Sequence, residues 1–227
     1  MAELVLVNPI VEGVVEVTVN RQDKKNALSI ALRDALSDTL EQLARDAGVS
    51  VAILTGAGNT FSAGFDLGEF QQLSQGGSAE FAEALWASSD RFHRTVLEFP
   101  LPLLAAVNGP AIGGGFDLAV MCDLRVASDT AWFQHPEIEF IEVVYTPLHD
   151  LLGAAVAKEL CWTGRRVDAA EALSLHLVSA VVPPDELAGR AHQLAAEIAR
   201  APRDVLLRMK EKAISRAGYL GPDGPEL

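Results

Sequence analysis

Val15, Val17 and Val19 alternate with Glu16 and Thr18, the period-two pattern of a strand with one wet face. The turn-like run NRQDKKN follows. Leu28, Leu32, Leu36, Leu40 and Leu43 then recur at intervals of four, four, four and three, which gathers all five on one face of a helix. Val51–Leu54 is a short apolar run closed by the glycines of TGAGN, a second strand. Strand, helix and strand in that order predict a right-handed crossover in a parallel sheet. The pattern returns as a helix over Glu80–Leu97, a strand at Leu103–Val107, a glycine-rich turn, a short helix around Phe116–Met121 and a strand at Leu124–Ala127. Beyond Pro136 the chain reads as mostly helical. It has a short strand near Ala180–Val182, an apolar stripe of Leu187, Ala191, Leu194, Ala195 and Ile198, and a last helix over Arg203–Arg216. The tail GYLGPDGPEL has turn composition and is expected to fray. The class is α/β, with the glycine-rich turns placed after strands and no internal repeat.

Composition narrows what such a chain can do. Its 227 residues can bury a substantial single core. Although 49% of them are apolar, Asn108, Gly109, Pro110 and Asp117 interrupt the two most apolar stretches, so no run reaches the ~18 residues of a membrane span. The start MAELVLVNPIVEG has neither the basic opening nor the long apolar stretch of a signal peptide, and a cytoplasmic location is expected. Cys122 and Cys161 lie in apolar surroundings without metal-ligand spacing and read as buried free thiols. The formal charge of −13, from 31 acidic and 18 basic residues, opposes the phosphate neutralisation on which nucleic-acid binding depends. An anionic ligand would need local basic groups, first among them Arg21, Lys24 and Lys25.

Two turns have the make-up of a chemical site. In Phe61-Ser62-Ala63-Gly64-Phe65-Asp66-Leu67, Gly64 permits a backbone conformation strained for other residues, so the following amide can face a cleft, although an ordinary connecting loop has the same composition. In Asn108–Leu118, the glycines 113–115 open a helix after a strand and leave unobstructed N–H groups at the positive end of its dipole, a place for an oxyanion or phosphate. The dinucleotide pattern fails because Leu118 stands where its third glycine belongs. There is no phosphate-loop sequence and no G-x-S-x-G elbow. Asp117 falls in the first turn of that helix and Glu137 in FQHPEI. From spacing alone Asp117 reads as a complement to the helix dipole and Glu137 as a solvated charge.

FSAGFDL, AAVNGPAIGGGFDLAVMCDLRVAS and FQHPEI, in that order, resemble the crotonase superfamily of enoyl-CoA hydratases and isomerases, and the later TGRRVDAAEALSLHLVSAVVP continues the likeness. The resemblance runs from about Val14 to Val182. It implies a crotonase-like ββα spiral core over residues 1–183 and a short helical C-terminal region over 184–227. Carried over by position, it places paired thioester-binding amides on Phe65 and Gly114, and the two hydratase carboxylates on Asp117 and Glu137. Ala63, Asp66 and Leu67 then match the coenzyme A strip, with Lys25 beside it. The substrate implied is an acyl-CoA thioester, with coenzyme A as part of the substrate and no metal or redox cofactor. A homotrimer or homohexamer is implied as the assembly, with neither nucleic acid nor membrane as partner.

The chain departs from the family pattern in several places. Arg21 is not followed by the usual proline, and Asp117 is one methylene shorter than the glutamate typical of hydratases. Aspartate there resembles the dienoyl-CoA isomerases, but the further aspartate of those enzymes is replaced by Tyr145. The 139–152 segment is shorter than usual, which leaves Glu142, Tyr145, His149 and Asp150 as candidates for the site wall, the last two equally as solvated residues. His135 is near enough to reach the site, yet beside Pro136 it reads as structural. Hydration of a 2-enoyl-CoA leads, followed by double-bond isomerisation, thioester hydrolysis, and acyl-CoA binding without turnover.

Overall fold

The computed structural model describes residues 3–218, 220–221 and 224–225. Strands β1 (Val5–Val11) and β2 (Gly13–Val19) form an antiparallel hairpin. Helix α1 (Ile30–Arg45) follows, capped by Ser29, whose hydroxyl accepts from the Leu32 amide. It returns the chain to β3 (Val49–Gly56), which lies parallel to β2. Helices α2 (Leu67–Ser74) and α3 (Ala79–Leu97) lead to β4 (Leu103–Val107), and then come the short β5 (Ala111–Ile112) and α4 (Gly114–Met121). Strands β6 (Leu124–Ser128) and β7 (Trp132–Gln134) precede α5 (Thr146–Thr163), β8 (Val167–Asp168), α6 (Ala169–Ser174), β9 (Val181–Val182), α7 (Leu187–Ile198) and α8 (Arg203–Ala217).

The main sheet runs β1-β2-β3-β4-β6-β9 and is parallel from β2 onward. A parallel sheet must be covered on both faces, and β3 is divided accordingly. Ala52 and Leu54 join the core that holds Leu32, Leu36, Leu40 and Leu43 of α1 together with Phe92 and Phe116; Leu28, expected on the same helical face, lies before α1 and bridges to Phe65 in the same core. Val51 and Ile53 face the opposite way, onto Leu187, Ala191 and Ala195 of α7. Lys210 of α8 is buried against Asp123, with both carboxylate oxygens 2.6 Å from its amine. Both cysteines are free and buried, and burial pushes the Cys122 thiol up to about 12. Among the described residues no helix is long and apolar enough to cross a membrane.

Several elements differ from expectation, among them the short strands β5, β7 and β8, which were not expected. β1 is a full strand although Asn8 and Pro9 interrupt its apolar pattern. As the edge of the sheet it tolerates a proline, and its pairing slips between Pro9 and Val11. α2 has no buried residue and begins where the Asp66 carboxylate accepts from the Gly68 amide. The helix expected at Phe116 opens two residues earlier, at Gly114. Half of the tail expected to fray lies outside the described residues; of the rest, Leu220–Gly221 pairs antiparallel with Gly224–Pro225.

Candidate active site

A second, three-stranded sheet of β5, β7 and β8 gathers the conspicuous turns. Ser62 pairs with Ala111, and Ala111 with Phe133, all in parallel. Parallel pairing sends the three following segments out of the same end of the sheet. One carries Gly64 and Phe65, the next Gly113 and Gly114, and the third His135 and Glu137. The Gly113 amide donates to the Gln134 carbonyl at 2.8 Å, which ties the second segment to the third. Residues far apart in sequence thereby meet.

The glycines are required by this crowding. Gly64 has φ +85°, and a Cβ there would lie 2.6 Å from the Ile112 carbonyl oxygen. Gly113 has φ +52°, and a Cβ would meet a Glu137 carboxylate oxygen at 2.7 Å. At Gly114 the space is taken by the Phe65 ring, also at 2.7 Å. That ring is held in place by Phe70, Phe92 and His93 around it and by the Arg33 guanidinium 4.8 Å from its centre. Neither the Phe65 nor the Gly114 amide donates a hydrogen bond among the described residues, and Gly114 is the first residue of α4, where helix amides lack internal partners.

Asp117 lies one turn into α4 and is buried. Its Oδ1 is 2.7 Å from Nε2 of His135, whose buried ring stacks on Phe116 with centroids 4.5 Å apart. His135 therefore reaches Asp117 from a fully buried position. Glu137 is half-buried, and one of its oxygens, a ring nitrogen of His135 and an Asp117 oxygen all lie within 4.8 Å of one another. Burial raises the pKa of Glu137 and the Asp117 charge adds to that, while His135 opposes it. At His135 burial disfavours the proton, but the Asp117 carboxylate outweighs it and pushes the group up to about 10.

His93 was not visible as a site residue in the sequence, where it is one histidine on a long helix. Its ring is 6.0 Å from that of Phe65, and its Nε2 is buried without a hydrogen-bond partner. Burial lowers its pKa despite the pull of Asp117, so it is neutral.

The residues assigned to coenzyme A cluster on the outer side of the first turn. The Ala63 amide donates to the Lys25 carbonyl at 2.9 Å, and the Arg21 guanidinium pairs with Asp66 at 2.5 Å. Lys25 is exposed and Leu67 strongly so, at 75%. In the 139–152 segment Glu142 is exposed, while His149 bonds to Asp150 and packs beside Tyr145.

Comparison with known proteins agrees with this geometry. Residues 10–218 match the family model described as enoyl-CoA hydratase/isomerase. The short-chain-enoyl-CoA hydratase of Clostridium acetobutylicum is 34% identical over 209 residues, 88% of this chain and 77% of that protein. The crystal structure of enoyl-CoA hydratase from Bacillus anthracis superposes with a TM-score of 0.84 at 35% identity, covering 92% of this chain and 81% of that one. A monofunctional enoyl CoA isomerase from M. smegmatis gives 0.79 at 30% identity over 98% of both chains. Matched by the family model over residues 10–218 and by the fold over most of its length, the chain belongs to the enoyl-CoA hydratase/isomerase family of crotonase-fold enzymes.

Proposed function

We propose that this enzyme hydrates a 2-enoyl-CoA to the 3-hydroxyacyl-CoA. The observation that carries the reading is the approach of Asp117 and Glu137 beside the two undonated amides, with carboxylate oxygens within 4.8 Å. One water with hydrogen bonds of about 2.7 Å to each side spans such a gap. In this reading the thioester oxygen docks on the Phe65 and Gly114 amides, which stabilise the negative charge that builds there as water adds to the β-carbon. Preorganised donors of this kind contribute roughly 10²–10³ each. Asp117 takes a proton from the attacking water, and Glu137, whose raised pKa suits a donor, delivers one to the α-carbon. The net change is one water added across the double bond. Lys25, Ala63, Asp66 and Leu67 border the coenzyme A portion, and the reading calls for no metal or redox cofactor.

The experiment is steady-state hydration of short 2-enoyl-CoA thioesters with products analysed by mass. Asp117→Asn and Glu137→Gln should each lower kcat by about 10²–10⁴ with KM little changed. Folded Asp117→Asn protein that hydrates at the parental rate would sink the two-carboxylate mechanism. A second reading, double-bond isomerisation by Glu137 alone, is favoured by the engagement of Asp117 Oδ1 with His135. It is distinguished by a product of unchanged mass and by a severe loss only in Glu137→Gln.

A further inference from the structure

The chemistry assigned to Asp117 and Glu137 leaves His135, buried between them in the chain's fold, without a part. We propose that His135 is a positioning residue for the reaction: its Nε2–H grips Oδ1 of Asp117, leaves Oδ2 as the oxygen offered to water, and supplies the positive charge that lets two carboxylates stand this close. Its consequence for turnover rests on the hydration reading above.

The packing fixes the imidazole on several sides. Its ring lies on Phe116 with planes inclined by only 28°. Gly164, in the left-handed region at φ +57°, closes α5 directly against the His135 carbonyl, which a Cβ at that position would meet at 2.7 Å. The Gln134 side chain donates to the Gly164 carbonyl at 2.8 Å and ties the preceding residue to the same corner. A ring so held can present Nε2 to Asp117 in one orientation. Asp117 is thereby restrained at one oxygen, while its Oδ2 makes no hydrogen bond among the described residues.

Charge points the same way. Two carboxylates within 4.8 Å repel, and without a cation such a pair holds a proton between its members. The groups facing Asp117 and His135 are Glu137 two residues on from the ring, the Cys161 thiol from α5, and His93 from α3, with Arg33 beyond the Phe65 ring. His93 is kept neutral by burial. His135 is thus the cation in contact with Asp117, and its charge also lowers the pKa of Glu137. Of the two N–H groups of the imidazolium, Nε2–H has the Asp117 carboxylate as its partner and Nδ1–H is buried without one.

Two measurements on the full-length protein test the assignment. The ¹⁵N resonances of the His135 ring should report a doubly protonated imidazole up to at least pH 8, with a titration near neutrality in Asp117→Asn. A parental ring that titrates near the ordinary histidine value overturns the proposal. In steady-state hydration, His135→Leu should lower kcat by about 10–100-fold with KM within about twofold, because the acyl-CoA contacts are untouched. His135→Gln should lose less, since its amide can still donate to Oδ1. Gln lacks the charge, however, so Glu137 loses the cation that lowers its pKa, and the alkaline limb of kcat/KM should move to higher pH. Both variants folded, with parental kcat and a parental pH profile, would also overturn it. A parent that hydrates no 2-enoyl-CoA refutes the hydration reading alone, and the pairing is then decided by the ¹⁵N titration.

Discussion

Gly113 and Gly114 are adjacent, yet each is kept free of a side chain by a different neighbour. At Gly113 the obstacle is the Glu137 carboxylate, and φ of +52° adds backbone strain for any other residue. At Gly114 it is the edge of the Phe65 ring, which has nowhere to go because Phe92, His93 and Arg33 surround it. Gly114→Ala should therefore displace the ring and, with it, one or both amides aimed at the thioester oxygen. A loss of one oxyanion donor is worth about 10²–10³ in kcat. Adding Phe65→Ala to Gly114→Ala opens the space while keeping both amides, and should recover part of that loss. The check is kcat of the single and double variants at matched folding by circular dichroism. A double variant no better than Gly114→Ala alone would show that the ring is not the obstacle.

Between elements, Arg33 joins the scaffold beneath the site. It is fully buried on α1 and donates to the carbonyls of Leu28 and Leu85 and to the Ser88 hydroxyl, so that α1, α3 and the segment entering α1 share one guanidinium. Glu69 of α2 stands 3.7 Å away as its counter-ion. Arg33→Met removes the cation while Glu69 and the two carbonyls remain, and breaking a buried pair in this way costs about 3–5 kcal/mol. For a chain of this size a midpoint about 6–20 °C lower is expected in thermal unfolding. A change under about 2 °C would place the weight of the α1–α3 contact on its leucines instead. This arrangement also marks how far the sequence could be read. The leucine stripe Leu32, Leu36, Leu40 and Leu43 of α1 and the alternating valines of β2 are legible because burial on one face leaves a period, and β3 and β4 because burial on both leaves an unbroken apolar run. β1 was hidden by Pro9, which an edge strand accepts, and α2 by its eight-residue length, with no residue buried. The positions of Phe65, Gly114, Asp117 and Glu137 were suggested by resemblance. Their meeting depends on the parallel registers of Ser62, Ala111 and Phe133, which no local pattern encodes. For the same reason the part of His135 was obscured by Pro136, and His93 had no signal at all.

At the scale of the whole molecule, a chain with a net charge of −13 keeps large apolar side chains in water: Phe140 is 75% exposed and Trp162 72%. Copies of so acidic a chain repel one another, with a force that salt screens within about 10 Å at 0.1 M. Burial of apolar surface is the term able to offset that repulsion, and it is not weakened by salt. If the chain assembles into the trimer or pair of trimers that its resemblance implies, the assembly should hold better on dilution at high ionic strength than at low. Light scattering at two salt concentrations measures this directly, against a single-chain mass of 24.2 kDa. Trp162→Glu should then shift the distribution toward the single chain by adding another negative charge and removing an apolar ring, provided Trp162 lies in the contact. An unchanged distribution would move the contact away from Trp162. A species of 24.2 kDa alone at both salt concentrations would refute assembly itself and require each site to be complete within one chain.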